Sequence, residues 1–149
     1  MSADDTGTKP AATRQNHVKA TWLGEHRFDS GRPDGPKARI DASGREGQSP
    51  VDTLLSALAT CTAVDVVDIL AKRRTPLASL DVEVTGDRSD GVPARLTRIH
   101  LTYRITGADI EQVHADRAAE LAVTKYCSVR DSLDPAMPVT WSVEILPTA

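Results

Sequence analysis

A chain of 149 residues, with 40% hydrophobic and 26% charged side chains, is long enough to bury a core without staples and sits in the soluble globular class. A net charge of −3 without any basic block speaks against nucleic-acid partners, and an aromatic content of 3% is too thin for base-stacking platforms. Two cysteines on their own make neither a disulfide framework nor a zinc site.

Residues 1–16 are small and polar, which predicts a disordered N-terminal tail and no signal peptide. The remainder, 17–149, is expected to form a single domain. "HVKATWL" (17–23) reads as a strand, followed by the Gly- and Pro-rich "GEHRFDSGRPDGPK", a looping stretch that a short strand can cross near Arg27 and Phe28. "KARIDAS" (37–43) is a further short strand.

The strongest local pattern is "SPVDTLLSALATCTAVDVVDIL" (49–70). Ser49 suits an N-cap, Pro50 suits the first helical position, and Asp52 completes an S-x-x-D capping pattern. Leu54, Leu55, Leu58, Cys61, Val64, Val67 and Leu70 recur at helical spacing, and Ala57, Ala59 and Ala63 carry apolarity round the other faces. The pattern predicts a helix buried on most sides, ended by "KRRTP". Its uncharged part, Thr53 to Val64, is shorter than the roughly 20 residues a bilayer requires. A cytoplasmic protein without a membrane partner is therefore expected, where thiols stay reduced unless redox chemistry is their task.

"LDVEVTGDR" (80–88) and "RLTRIHLTYRIT" (95–106) alternate apolar and polar residues and predict a hairpin, with Ile99, Leu101, Tyr103 and Ile105 on its inner face. "DIEQVHADRAAELAVTKY" predicts a helix with Ile110, Val113, Leu121 and Ala122 as its stripe. Cys127 to Leu133 reads as a short helix. "VTWSVEI" (139–145) closes the chain as a strand with Val139, Trp141, Val143 and Ile145 inward. The order predicts an α+β fold, antiparallel sheets around a long buried central helix.

The chemistry available is thiol chemistry. Cys61 lies about three turns into its helix, beyond the reach of the dipole, and Asp65 one turn on would disfavour a thiolate. It reads either as core filling or as a reactive thiol activated by another segment. Cys127, flanked by Lys125 and Arg130 at a helix start, has surroundings that favour a thiolate; a structural cysteine at a helix junction is the alternative. The histidines are scattered, so no metal is expected, and no Gly-rich loop follows a strand, so no cofactor is expected either.

"SPVDTLLSALATCTAVDVVDIL", "PARLTRIHLTYRITGADI" and "TKYCSV" together resemble the OsmC/Ohr family, the osmotically inducible and organic hydroperoxide resistance proteins, and in particular its OsmC-like branch. The resemblance runs from about Val18 to Ile145. It implies an intertwined homodimer in which central helices pack between sheets of both chains. It also implies reduction of a small hydroperoxide substrate by two catalytic cysteines, Cys61 as peroxidatic and Cys127 as resolving residue, with an external dithiol reductant. The family further uses an arginine from the N-terminal strand region, for which Arg27 and Arg32 are the candidates. In its hydroperoxidases a glutamate directly follows the helix-start proline; here that position is Val51, with Asp52 next. Asp52 lies nine residues before Cys61, about 13 Å along a helix, which suits capping better than a direct role. The alternative function is an OsmC-like dimeric stress-associated or small-molecule-binding protein without efficient peroxide turnover.

Overall fold

A computed structural model describes residues 14–148. Most of the expected tail, residues 1–13, lies outside the described residues. The chain forms two compact units, one ending at Pro50 and the other beginning at Val51.

The first unit is an antiparallel sheet of β1 (Lys19–Gly24), β2 (Arg27–Gly31) and β3 (Ala38–Asp41) in that order. The predicted loop at 24–37 thus contains the short strand expected near Arg27. Trp22 pairs with Phe28 across the first ladder, and Gly24 and Glu25 take positive φ (108° and 51°) to turn the chain. Asp41 ends β3 as a buried acceptor. One carboxylate oxygen accepts from the Ser43 amide (2.9 Å) and hydroxyl (2.7 Å), the other from the Glu46 amide (3.1 Å). These donors hold its pKa down at about 2.

The second unit is built around α1 (Pro50–Lys72), which starts at the predicted proline. It ends with Arg74 in the left-handed region (φ 64°) and the Thr75 amide donating to the Leu70 carbonyl at 3.0 Å. β4 (Ser79–Arg88) and β5 (Leu96–Thr106) form the predicted hairpin, with Val82 opposite Tyr103 and Val84 opposite Leu101. The chain continues through α2 (Gln112–Leu121), a π-helical turn (Ala122–Tyr126), α3 (Ser128–Asp131) and β6 (Val139–Ile145). β6 joins the sheet beside β5 and parallel to it, with Trp141 opposite Leu101. This corrects the expectation of purely antiparallel sheets. The helical crossover between β5 and β6 carries the chain back to the end from which β5 started, and a parallel neighbour is the result.

Alternation along β5 sends Ile99, Leu101, Tyr103 and Ile105 fully into the core, where they meet Leu58, Val66 and Leu70 of α1. Each such burial is worth about 1.5–3 kcal/mol. Gly86 in β4 keeps the sheet clear for α1: a Cβ there would fall 2.7 Å from Leu96 Cδ2 and 3.3 Å from Leu55 Cδ2.

Within its own chain α1 buries one side, and the expected stripe of α2 is displaced. The buried residues of α1 are Leu58, Ala59, Thr62, Val66 and Leu70, while Leu54, Val64 and Val67 are 38%, 58% and 43% exposed. α1 is also long and apolar enough to cross a membrane; here the Leu58 side packs on the sheet. In α2 the buried face is Ala115, Ala118 and Ala119, continued by Ala122, and Val113 is exposed. Alanines let α2 approach closely, and the Gln112 amide donates to the Val143 carbonyl of β6 at 3.0 Å.

Candidate functional site

Both cysteines are held by backbone features that the chain supplies locally. Cys61 lies about three turns into α1, half-buried, beside the fully buried Thr62. Cys127 comes directly after the π-helical turn, whose closing bond runs from the Cys127 amide to the Ala122 carbonyl (3.0 Å). Such turns insert one extra residue and often sit at functional positions. The Cys127 backbone then turns extended (φ −76°, ψ 109°), and its Sγ accepts from the Arg130 amide at 3.2 Å, capping α3.

Both thiols are free, and Cys61 lies near enough to Cys127 to help raise its pKa. This juxtaposition of residues distant in sequence is supplied by α1 packing on the sheet and by the turn before α3.

The ionisation of Cys127 runs against the sequence expectation. Burial pushes its thiol up to about 11, the Arg130 amide opposes this, and Cys61 adds to it through contact and charge. The flanking cations do not rescue the thiolate, because their heads are used elsewhere. The Arg130 guanidinium donates to the carbonyls of Asp134 and Met137, each at 3.0 Å, and tethers the return loop. Lys125 sits over the exposed Tyr126 ring, 5.3 Å from its centre.

Two further side chains complete the setting, and sequence reading gave them no role at the site. Tyr103 is fully buried and donates its hydroxyl to Thr62 Oγ1 at 2.6 Å. Burial pushes its phenol up to about 12, the Thr62 bond opposing and the charge of Cys127 adding. The available signal was a polar tip on an otherwise aliphatic strand face, and a lone hydroxyl in the Leu58-to-Leu70 ladder of α1.

Other candidates make contacts of their own. Asp65 is pushed upward, first by burial and then by Asp68, so it holds its negative charge less readily. Asp52 is exposed in the first turn of the same continuous helix as Cys61, which keeps the about 13 Å axial separation. Val51 lines an apolar cleft of about 290 Å³ with Leu54, Leu96, Leu133 and Met137, edged by the Arg95–Asp134 ion pair at 3.1 Å. Cys127 lines a second cleft of about 290 Å³ with Trp141, Val139, Leu133 and Lys125. Arg27 pairs with Glu46 at 3.4 Å inside the first unit, and Arg32 is exposed between β2 and β3. Among the described residues no group of three or more His, Cys, Asp or Glu is arranged to hold a metal ion.

The sequence profile of the OsmC-like protein family matches residues 42–142, which contain both cysteines and the helix between the turn and the sheet. The chain belongs to that family. Protein YhfA of Escherichia coli K12 is 36% identical over 104 residues, 70% of this chain and 78% of that protein. The OsmC-like protein from Mycoplasma pneumoniae superimposes with a TM-score of 0.77 at 18% identity, covering 90% of this chain and 99% of that one. The organic hydroperoxide resistance protein OhrB of Bacillus subtilis gives 0.57 at 15% identity, covering 88% and 98%. At these identities the two structures establish the shared α+β fold, two small sheets and a central helix. Proteins of the OsmC/Ohr family are generally homodimers.

Proposed function

We propose that this OsmC-like protein is a cytoplasmic homodimer that reduces organic hydroperoxides through Cys61 and Cys127. Family membership supports a stress- or peroxide-related role. The observation that carries the finer reading is the nearness of the only two cysteines of the chain, both free, with Cys61 among the groups that raise the Cys127 pKa. The half-buried Cys61 attacks as its thiolate. Its sulfur takes the outer oxygen of the hydroperoxide, the O–O bond breaks, and the alcohol leaves with a proton from solvent. Cys127 then displaces the hydroxyl of the resulting sulfenic acid as water, forming the disulfide. A dithiol returns both cysteines to thiols by two exchange steps.

The raised pKa of Cys127 suits this order. At neutral pH it stays protonated while Cys61 is reduced, leaving Cys61 as the first nucleophile. Interaction with Cys61 is among the causes that hold Cys127 up.

A second reading, a dimeric small-molecule-binding protein without efficient turnover, is favoured by Val51 at the position of the family glutamate, where it lines an apolar cleft. One experiment separates the two. Hydroperoxide consumption with a dithiol reductant is expected to fall to background in Cys61→Ser, and in Cys127→Ser to slow strongly after the first equivalent. Equal rates for wild type and Cys61→Ser would remove the catalytic reading and leave the binding one.

A further inference from the structure

The contact between Tyr103 and Thr62 has no packing necessity behind it. The Thr62 hydroxyl already donates into its own helix, with the carbonyls of Leu58 (3.0 Å) and Ala59 (3.1 Å) as acceptors. A valine there, facing phenylalanine at 103, would fill similar volume without burying two hydroxyls, which are unfavourable to desolvate unless bonded. The chain instead places a 2.6 Å hydrogen bond between two fully buried side chains, one on the fourth turn of α1 and one on β5. A hydrogen bond has a direction and a narrow range of lengths, whereas apolar contact tolerates sliding. The bond therefore fixes both the rotation of α1 about its axis and its height on the sheet.

Cys61 immediately precedes Thr62 on the helix, offset by about 100° and about 1.5 Å. Whatever sets Thr62 sets Cys61. On the far side, Tyr103 lies within charge range of Cys127. We infer that Tyr103 is a positioning residue for the thiol pair: through Thr62 it holds the Cys61 sulfur where Cys127 can attack it. The inference deepens the cysteine-pair reading and rests on it. It assigns Tyr103 no contact with substrate. Because displacement at sulfur needs the attacking and leaving atoms in line, a slip of about 1 Å is enough to slow closure markedly.

The test follows ring closure with an aromatic disulfide instead of a peroxide. The Cys61 thiolate attacks the reagent, forming a mixed disulfide and expelling one coloured thiolate. Cys127, giving its proton to solvent, then attacks the Cys61 sulfur, breaks the mixed disulfide and expels the second. Two electrons pass to the reagent for each protein disulfide formed, and each release is read by absorbance.

In Tyr103→Phe and in Thr62→Val the first release is expected within about twofold of wild type and the second about tenfold slower. Thr62→Ser, which keeps the hydroxyl, is expected to close at the wild-type rate, and the double variant Tyr103→Phe with Thr62→Val no more slowly than either alone. A second release at the wild-type rate in Tyr103→Phe overturns the inference, whatever the change in melting temperature. Should Tyr103→Phe not fold, the comparison of Thr62→Val with Thr62→Ser decides, and equal closure in those two overturns it. A wild type that consumes no hydroperoxide yet closes fast in a Tyr103-dependent way overturns the peroxidase reading alone.

Discussion

The two apolar faces of α1 meet different fates. One carries Leu58, Thr62, Val66 and Leu70 at four-residue intervals, all buried against the sheet, with the hydroxyl of Thr62 bonded to Tyr103. The other carries Val64 and Val67, which are 58% and 43% exposed, and between Thr60 and Asp68 it forms a shallow groove of about 270 Å³. The first face is finished by the chain's own sheet and holds a polar lock that specifies one registration. The second is smooth, lined by Ala63, Val64 and Val67, and its own chain leaves it in solvent. A helix apolar on two sides requires two burials, and one chain supplies one of them.

The sharpest way to break this contrast is to remove a side chain from the buried face. Leu70 is wholly inaccessible, so Leu70→Ala is expected to lower the unfolding free energy by about 2–5 kcal/mol. The shift should appear in the urea midpoint with an unchanged slope. A loss under about 1 kcal/mol would mean that this face is no better packed than its opposite, and the asymmetry drawn here would be void.

A comparable effect is expected from alkali, and only on the buried side. Tyr103 is raised from 10.0 to about 12 and Cys127 from 9.0 to about 11, both chiefly by burial. A group whose folded pKa lies above its unfolded value contributes stability that is complete below the unfolded pKa. That stability is lost as pH rises through the folded value. The unfolding free energy should therefore decline from about pH 9 to 12, with Tyr103 alone accounting for about 3 kcal/mol. Denaturant titrations at intervals across this window would measure the decline, and Tyr103→Phe should flatten its upper part. A wild-type curve level from pH 9 to 12 would contradict the assigned environment of both groups.

How much of this was legible in the sequence follows the same division. Alternation exposed the hairpin and its inner residues, because a strand buried on one face writes a period of two into the chain. The proline and capping residues fixed the start of α1. Helical periodicity could not say which apolar face of α1 meets its own sheet, because Val64 and Val67 look the same as Leu58 and Leu70 in a pattern of apolar letters. In α2 the pattern favoured the large Val113, whereas close approach selected small residues, Ala115, Ala118 and Ala119. The parallel placement of β6 depends on where the crossover delivers the chain, which no local signal records. For the site, resemblance named the cysteines. Their nearness, the π-helical turn before Cys127 and the Tyr103–Thr62 bond arise from packing between segments. The flanking charges of Cys127 misled, because charge acts on a thiol through the position of the cationic head, and Arg130 directs its head at two carbonyls.

The smallest effect on the chain's own fold is expected from the exposed face, and there the readout is assembly. Val64, 58% exposed in the single chain, sits at the centre of the apolar groove. If that face is where two copies meet, Val64→Asp places a carboxylate without a partner in the interface, a burial that costs several kcal/mol and abolishes association. Sedimentation equilibrium should then give twice the chain mass for wild type and a single chain mass for the variant. The far-ultraviolet dichroism should stay native, since a solvent-facing charge on a helix changes local stability little. A variant still dimeric would place the family's interface elsewhere on this chain. A variant that lost its helical signal as well would show that the exposed face of α1 is part of the folding core, and that its two faces are not independent.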